Sequence, residues 1–356
     1  MNASDPSSEP PAEPAAEARP AVTRAVLRFV SRAWPWLFLT LLLTVFEAWG
    51  LIGFGQSFIT NPFVLKSIAV AAAFALLLAA GQTLVIISGG IDLSLAFTMG
   101  LAAVVTAFGM NLVSPYTGPI VSFFVGAALA LAVSVIPGFI NGFLVARLGV
   151  PAFIATLGFF GINRSAAFLF AGGVDEPIRD RAAVSAIGYY EVFGTVPLLV
   201  VITAVVVLGV HYLLSQTRYG QYTYAIGGSK EAASRAGVNV RKHVWSLYVI
   251  ASLLAGLAGV LHATRFGSGR ADSGEPLLLS AIAAVVVGGA SLFGGSGTIV
   301  GAFVGTLIIA TIPSGLSFLR VDPFYQFGVE GVIIIVSVLI YMSRDRFNFG
   351  NGNGKR

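Results

Sequence analysis

The sequence predicts an all-α, polytopic membrane protein of about ten transmembrane helices, some broken or glycine-rich, with both termini cytoplasmic. Three observations predict it. Of 356 residues, 56% are hydrophobic and 10% charged, whereas soluble domains are about 25% charged; so few charges cannot clothe a surface that faces water. The apolar residues gather in runs near the about 20 residues that a helix needs to cross ~30 Å of hydrocarbon. The cations, finally, collect on one set of connecting stretches.

The first 32 residues read as a disordered cytoplasmic tail. Ser7-Ser8-Glu9-Pro10-Pro11-Ala12-Glu13-Pro14 is rich in Pro, Ala and Glu and has no apolar period, so it buries too little surface to offset its ordering entropy. An acidic leader of this length is also unlike a signal peptide. A transmembrane domain follows over 33–343, with apolar runs at 36–54, 66–88, 94–113, 118–137, 152–172, 195–214, 244–264, 277–294, 298–319 and 326–342. Gly and Pro interrupt the second to fourth and the eighth. Residues 344–356 form a cytoplasmic tail.

Charge orients the bundle. With the N-terminus inside, the cytoplasmic stretches hold fourteen of the 21 Lys and Arg: Arg19, Arg24, Arg28, Arg32, Arg147, Arg218, Lys230, Arg235, Arg241, Lys242, Arg344, Arg346, Lys355 and Arg356. Lys66, Arg179, Arg181, Arg265, Arg270 and Arg320 fall outside, and Arg164 within a run. The opposite orientation reverses this bias. Two connections are long. Residues 173–194 lie outside with mixed charge, as a docking surface or a solvated link; 215–243 lie inside and are basic.

Composition excludes several chemistries. With no cysteine there is no disulfide, thiolate zinc site or thiol catalysis. His211, His243 and His262 are scattered without metal-ligand spacing, so no metal site is expected. The net charge of +5 reflects cytoplasmic Lys and Arg rather than a nucleic-acid partner. No G-x-x-x-x-G-K-[ST] phosphate loop occurs; Gly354-Lys355 stands alone at the C-terminus, and Gly295-x-Gly297 lacks the third glycine of a dinucleotide fingerprint. No H-E-x-x-H, G-x-S-x-G or paired catalytic carboxylates appear, so the chain reads as no enzyme.

Gly297, Gly301 and Gly305 recur at four-residue spacing and permit close backbone approach, as do Ala251, Ala255 and Gly259. Such faces serve packing within a subunit, or a dimer seam or sliding gate. Asp92 follows a Gly89-Gly90 break, where it caps the third span or lines the route. Gln82, Asn141, Asn163, Arg164, Glu47 and Glu330 interrupt apolar runs, as hydrogen-bonders between helices or as route contacts; Arg164, twelve residues into its run, is expected to pair or to face the interior. Gly89-Gly90 and Gly288-Gly289 each end an apolar run, either by chance or as the trace of an internal repeat. In the inner loop, Ser229-Lys230-Glu231-Ala232-Ala233-Ser234-Arg235-Ala236 predicts a short helix. Ser229 is its N-cap, Glu231 sits in its first turn, Arg235 near its end and Gly237 at its left-handed C′ position, with Gly227-Gly228 as a hinge. That helix is a loop ornament or a lever for a partner.

Four of these stretches carry a resemblance: Leu84–Ser94 (LVIISGGIDLS), Asn141–Gly158 (NGFLVARLGVPAFIATLG), Tyr219–Gly228 (YGQYTYAIGG) and Ala281–Ser291 (AIAAVVVGGAS). With Phe58-Ile59-Thr60-Asn61 ahead of the second span, the chain from about 58 to 342 resembles the ribose/xylose/galactose-type permeases of ATP-binding-cassette (ABC) transporters. The resemblance implies a permease for a monosaccharide-like solute in the bacterial inner membrane, with about ten helices, paired with a second permease copy. It implies an ABC ATPase subunit and an extracytoplasmic solute-binding protein as partners. It further implies that this chain binds no cofactor, ATP and magnesium being held on the ATPase, and that Gly227–Gly237 is the coupling region. Two departures stand out: Leu278, Leu279 and Ser280 replace a commonly acidic stretch, which bears on the solute, and Lys230 stands where an acidic residue is common, which bears on the ATPase. The rival reading is an ion-coupled secondary transporter, which also uses broken helices and intramembrane carboxylates.

Overall fold

Hydrocarbon offers a backbone no hydrogen-bonding partner, so an apolar segment must satisfy its own N–H and C=O groups, and a helix does this within one segment. The computed structural model describes residues 21–322 and seven positions between 324 and 335, with side chains from residue 33. The tenth run is therefore described at a few positions only, and Glu330 and the tail 344–356 lie outside the described residues.

The chain forms two units, Met1–Trp34 and Pro35–Arg356. In the first, helical backbone begins at Ala21, opening α1 (Ala21–Phe54). This corrects the expected disordered stretch, whose boundary at 32 falls inside a helix. The reason lies in the pattern: Val22, Val26 and Leu27 alternate with Arg24, Arg28 and Arg32 at four-residue spacing, a helical period that the Pro-rich composition upstream conceals.

The second unit continues with α2 (Pro62–Ile87), α3 (Leu95–Val113), α4 (Pro119–Ala146), α5 (Ala152–Phe170), the single turn α6 (Arg181–Ala183), α7 (Leu198–Gln216), α8 (Arg218–Gly228), α9 (Lys230–Arg235), α10 (Val240–Phe266), α11 (Glu275–Val287) and α12 (Ile299–Phe318). Among the described residues, eight helices are long and apolar enough to cross a membrane. The fourth run continues past Pro137 to Ala146, because membrane helices tolerate a proline where neighbours re-satisfy the backbone. Burial sorts the bundle. α2, α3 and α10 are enclosed along most of their length, whereas α4, α5 and α7 leave most of theirs uncovered, with Phe124, Leu169 and Leu208 exposed as lipid-facing residues would be.

The eighth run corrects its prediction. α11 has 13 residues, about 20 Å at ~1.5 Å per residue, and does not span ~30 Å. The chain leaves α10 through Gly267, at φ +69°, and turns back beside α3. Gly269 lies against Ala103 and Val104, Ala271 against Gly100, and Gly274 against Ala96. These are backbone contacts; a Cβ on Gly100 would overlap the Ala271 carbonyl and one on Gly274 the Ala96 carbonyl. α11 therefore starts inside the bundle as a broken helix. Gly301 and Gly305 of α12 press on the carbonyls of Gly288 and Ala284, so this small-residue face packs within the subunit. Gly297, expected on the same helix, precedes it in the connecting loop and meets Ala290.

The outer connection 173–194 is pinned down rather than free. Two-residue strands β1 (Glu176–Pro177) and β4 (Ser268–Gly269) pair antiparallel, as do β2 (Glu191–Val192) and β3 (Val196–Pro197). Asn111 donates to Glu176 Oε1 at 2.8 Å and accepts from Arg179 N–H at 2.8 Å. Ser122 Oγ bonds Asp180 at 2.9 Å, and Lys66 Nζ meets Glu191 at 2.8 Å. At the other side of α1, Glu47 accepts from the N–H groups of Phe58 and Ile59, a structural tie.

Replacing Gly100 by Leu is expected to force α3 from the returning segment and cost about 1–3 kcal/mol by overpacking. Thermal unfolding of the detergent-purified protein, followed by size-exclusion chromatography, checks this. Gly209→Ala, inside α7 with open space for a Cβ, is expected not to lower the midpoint and to raise it slightly, because Ala is the better helix former.

Candidate functional site

The inner connection is built from two helices. Thr217 Oγ1 accepts from Tyr219 N–H at 3.2 Å and starts α8. Ser229, extended at φ −162°, ends α8 and caps α9, its Oγ accepting from Ala232 N–H at 3.2 Å. Gly237 takes φ +86°, Gly237 N–H bonds Ser234 C=O, and Val238 N–H bonds Ala233 C=O at 3.1 Å, the Schellman closure that a left-handed glycine permits. Glu231 in the first turn and Arg235 in the last each match the helix dipole. The short helix thus sits where its caps predict. Of its residues, Ala233 alone is buried; Lys230, Glu231, Ala232 and Arg235 are exposed. A groove of about 700 Å³ runs beside it, lined by Lys230, Glu231, Arg235 and Arg241.

α8 is the element that the sequence reading missed. Gly227 and Gly228 are its last two residues rather than a hinge. Gly227 lies backbone to backbone against the Ile87 carbonyl and Gly295, with no room for a side chain. Gly295 N–H donates to Ile87 O at 2.8 Å, and Tyr224 Oη donates to Gly297 O at 2.7 Å. Three inner ends therefore meet: the C-terminus of α8, the C-terminus of α2 and the loop between α11 and α12. On its other face, α8 is tied to α10 by Tyr219–Ser246 and Thr223–His243, each at 2.8 Å. Burial raises the pKa of both Tyr219 and Tyr224, so both phenols remain donors. The available signal was Tyr219, Thr223 and Ile226, spaced for one helical face.

The two glycine pairs prove alike in geometry. Gly89 and Gly289 have φ +84° and +96°. Gly89 N–H bonds Ile86 O and Gly90 N–H bonds Val85 O; Gly289 N–H bonds Val286 O and Ala290 N–H bonds Val285 O. α2 and α11 end on the same closure at the same level of the junction.

Four of the intramembrane polar residues form one layer of cross-ties. Asp92 is wholly buried and its Oδ1 accepts from Ser94 N–H at 2.9 Å and Ser94 Oγ at 2.6 Å. This is a turn ahead of α3 rather than a cap on it; Ser94 is the N-cap residue. The Gln82 amide, oriented by its surroundings, donates to the Asp92 carbonyl at 3.1 Å and accepts from its N–H at 3.2 Å. Asn141 donates to Ser94 Oγ at 3.0 Å, and Asn163 to Thr98 Oγ1 at 2.9 Å. Arg164 departs from expectation. It lies on the exposed face of α5 with its guanidinium over the rings of Phe97 and Phe168, at 5.4 and 6.0 Å, where cation–π attraction replaces a carboxylate partner.

The apolar spans are those of a multi-pass membrane protein, and its relatives make it an inner-membrane transport permease. The chain belongs to the family described as branched-chain amino acid transport system / permease component, which it matches over residues 64–338. It is 37% identical to the ribose import permease protein of Escherichia coli strain K12 over 268 residues, covering 74% of this chain and 81% of that one. The fructose import permease protein of Rhizobium meliloti is 35% identical over 313 residues, 85% of this chain and 83% of that one. The galactose/methyl galactoside import permease protein of Haemophilus influenzae is 35% identical over 277 residues, covering 74% and 82%. No solved structure matches the chain.

Asp92→Ala removes both bonds to Ser94 and is expected to lower stability by about 1–3 kcal/mol and to reduce folded yield. Asp92→Asn, which keeps an acceptor at Oδ1, is expected to retain most of it. Detergent-extracted yield and thermal midpoint of the two variants provide the check.

Proposed function

We propose that this chain is the membrane-spanning permease subunit of an ABC importer that carries a monosaccharide or a closely related solute. Two permease copies, a separate ATPase and an extracytoplasmic solute-binding protein complete the system; ATP and magnesium reside on the ATPase. The observation that carries the reading is the seating of α9. Its side chains, Ala233 apart, are exposed, while α8, to which it is joined at Ser229, abuts the C-terminal end of α2 and the α11–α12 loop. Names of relatives supply the solute class: ribose, fructose and galactose are all neutral polyhydroxyl compounds.

The work of transport follows from these parts. Opening and closing of ATPases beneath α9 bias the bundle between two arrangements, since a switch needs partners that contact its states differently. Displacement of α9 passes through α8 to α2 and to the loop that ends α11. The chain itself makes and breaks no covalent bond. The ion-coupled alternative would draw on an accessible intramembrane carboxylate; among the described residues Asp92 is enclosed, with Oδ1 bonded to Ser94 and Oδ2 without a partner.

Reconstitution in vesicles with the ATPase and binding protein, screening ribose, fructose and galactose for stimulated ATP hydrolysis and uptake, tests the assignment; uphill transport by the chain alone would overturn it. Gly237→Pro, which abolishes φ +86° and the bond to Ser234, is expected to cut uptake while leaving expression intact. The charge reversals Glu231→Arg and Arg235→Glu are expected to do the same. Uptake and ATP hydrolysis measured on the same vesicles report the uncoupling.

A further inference from the structure

Asp92 lies in the connection from α2, which ends at Ile87, to α3, which opens at Leu95, and it is wholly buried. A buried carboxylate needs a cation or a full set of donors, because an unpaired charge is far costlier to bury than a neutral group; without them the group neutralises instead. Asp92 has neither. Among the described residues, ion pairs join Lys66 to Glu191 and Arg270 to Asp175 and Asp272, and no Lys, Arg or His pairs with Asp92. The polar side chains that reach this connection from the surrounding helices are neutral. Gln82 of α2 bonds the Asp92 main chain, Thr156 of α5 bonds the Ile91 carbonyl, Asn141 of α4 meets Ser94, and the Tyr248 hydroxyl of α10 closes over Gly90.

The two carboxyl oxygens of Asp92 differ. Oδ1 accepts from Ser94 N–H at 2.9 Å and from Ser94 Oγ–H at 2.6 Å. Oδ2 has no partner among the described residues, and neither has Oδ1 of Asn141. Ser94 relates these two atoms. Its hydroxyl proton goes to Asp92, and its oxygen accepts from Asn141 Nδ2 at 3.0 Å. The carboxyl group and the amide therefore meet at one hydroxyl, and each keeps one oxygen without a donor. Both oxygens are shut off from solvent, so bulk water supplies no donor. The Tyr248 hydroxyl is bonded to neither. Buried acceptors without a donor are rare and costly; here one donor between the two groups satisfies both.

We propose that Asp92 is a proton site: its carboxyl group is held neutral, and the proton on Oδ2 is donated to Asn141 Oδ1. A protonated carboxyl group is a donor at one oxygen and an acceptor at the other, and this closes a ring. Asp92 Oδ2–H donates to Asn141 Oδ1, Asn141 Nδ2–H to Ser94 Oγ, and Ser94 Oγ–H to Asp92 Oδ1. The interior loses a charge, and Asn141 is fastened by two hydrogen bonds instead of one. Buried on all sides, the proton is a component of the core, as Ser94 is.

The purified permease in detergent tests this. Asp92→Asn places an amide N–H where the acid O–H stood. Infrared difference spectra of the parent against Asp92→Asn at neutral pH are expected to show the carbonyl stretch of a protonated carboxyl group in the parent and its loss in the variant. Asn141→Ala, which removes the acceptor, is expected to shift that band. Stability supplies a second readout. In the unfolded chain this Asp ionises above its ordinary pKa of about 3.9, so the parent binds one more proton when folded. The stability linked to that proton is fully present below the unfolded pKa and is lost as pH rises toward the folded one. Relative to Asp92→Asn, the folding equilibrium of the parent is expected to weaken about tenfold per pH unit between about pH 5 and 7, read from denaturation midpoints in mixed micelles. A parent spectrum without the acid band, or the same pH dependence in parent and Asp92→Asn, overturns the proposal and leaves a carboxylate bridged by a buried water or a monovalent cation. An acid band unmoved by Asn141→Ala overturns the bond to Asn141. None of these measurements needs an ATPase, a binding protein or a solute, so their failure leaves the importer reading standing.

Discussion

One backbone hydrogen bond, from Gly295 N–H to the carbonyl of Ile87 at 2.8 Å, anchors the meeting point of α2, α8 and the α11–α12 loop. Ile87 is the last residue of α2, and the carbonyls of a final helical turn have no partner within their own helix. In a membrane protein that vacancy is expensive. Here the loop between α11 and α12 fills it, and Gly227 of α8 closes over the same carbonyl. A side chain at Gly227 would overlap the Ile87 carbonyl and the Gly295 N–H and hold the three ends apart. α2 and α11 each run from this junction to the far side of the bundle, where both line a cavity with His262.

Glycine and small polar residues hold the remainder together for the same reason. Lipid supplies no hydrophobic drive between helices, and association depends on close backbone packing and hydrogen bonds worth about 0.6 kcal/mol on average and about 1.7 at most. The bundle combines both. Gly100, Gly269 and Gly274 let the connection between α10 and α11 lie against α3, while Gln82, Asp92, Asn141 and Asn163 tie α2, α3, α4 and α5 side to side. None of these ties is strong alone. Their number and shared level fix the rotation of each helix, which apolar side chains facing lipid on one side and protein on the other leave loosely specified.

Much of this was legible from residues alone, and what was not has physical causes. Runs of apolar residues announce spans because length against bilayer thickness is a local property; α2, α3, α5, α7, α10 and α12 fall where the runs do. The cap residues Ser229 and Gly237 located α9 for the same local reason. α11 was misread as a full span because its apolar run continues into Gly288–Phe293, and hydropathy does not register that a Schellman closure has ended the helix. α8 escaped because its polar and aromatic residues pack on α10 and on the junction, partners distant in sequence. Asp92 reads in sequence as a helix cap or a route contact, and of these the cap is replaced by a turn, since its carboxylate reaches Ser94 two residues on. Arg164 shows the limit of the rule that a membrane charge seeks an opposite charge, since two aromatic rings serve instead.

α9 is fastened to the rest of the chain by the burial of a single alanine side chain, Ala233, and by its caps. Its outward residues bear no structural duty toward the bundle. Sequence can therefore drift along that face without disturbing the packing of the spans.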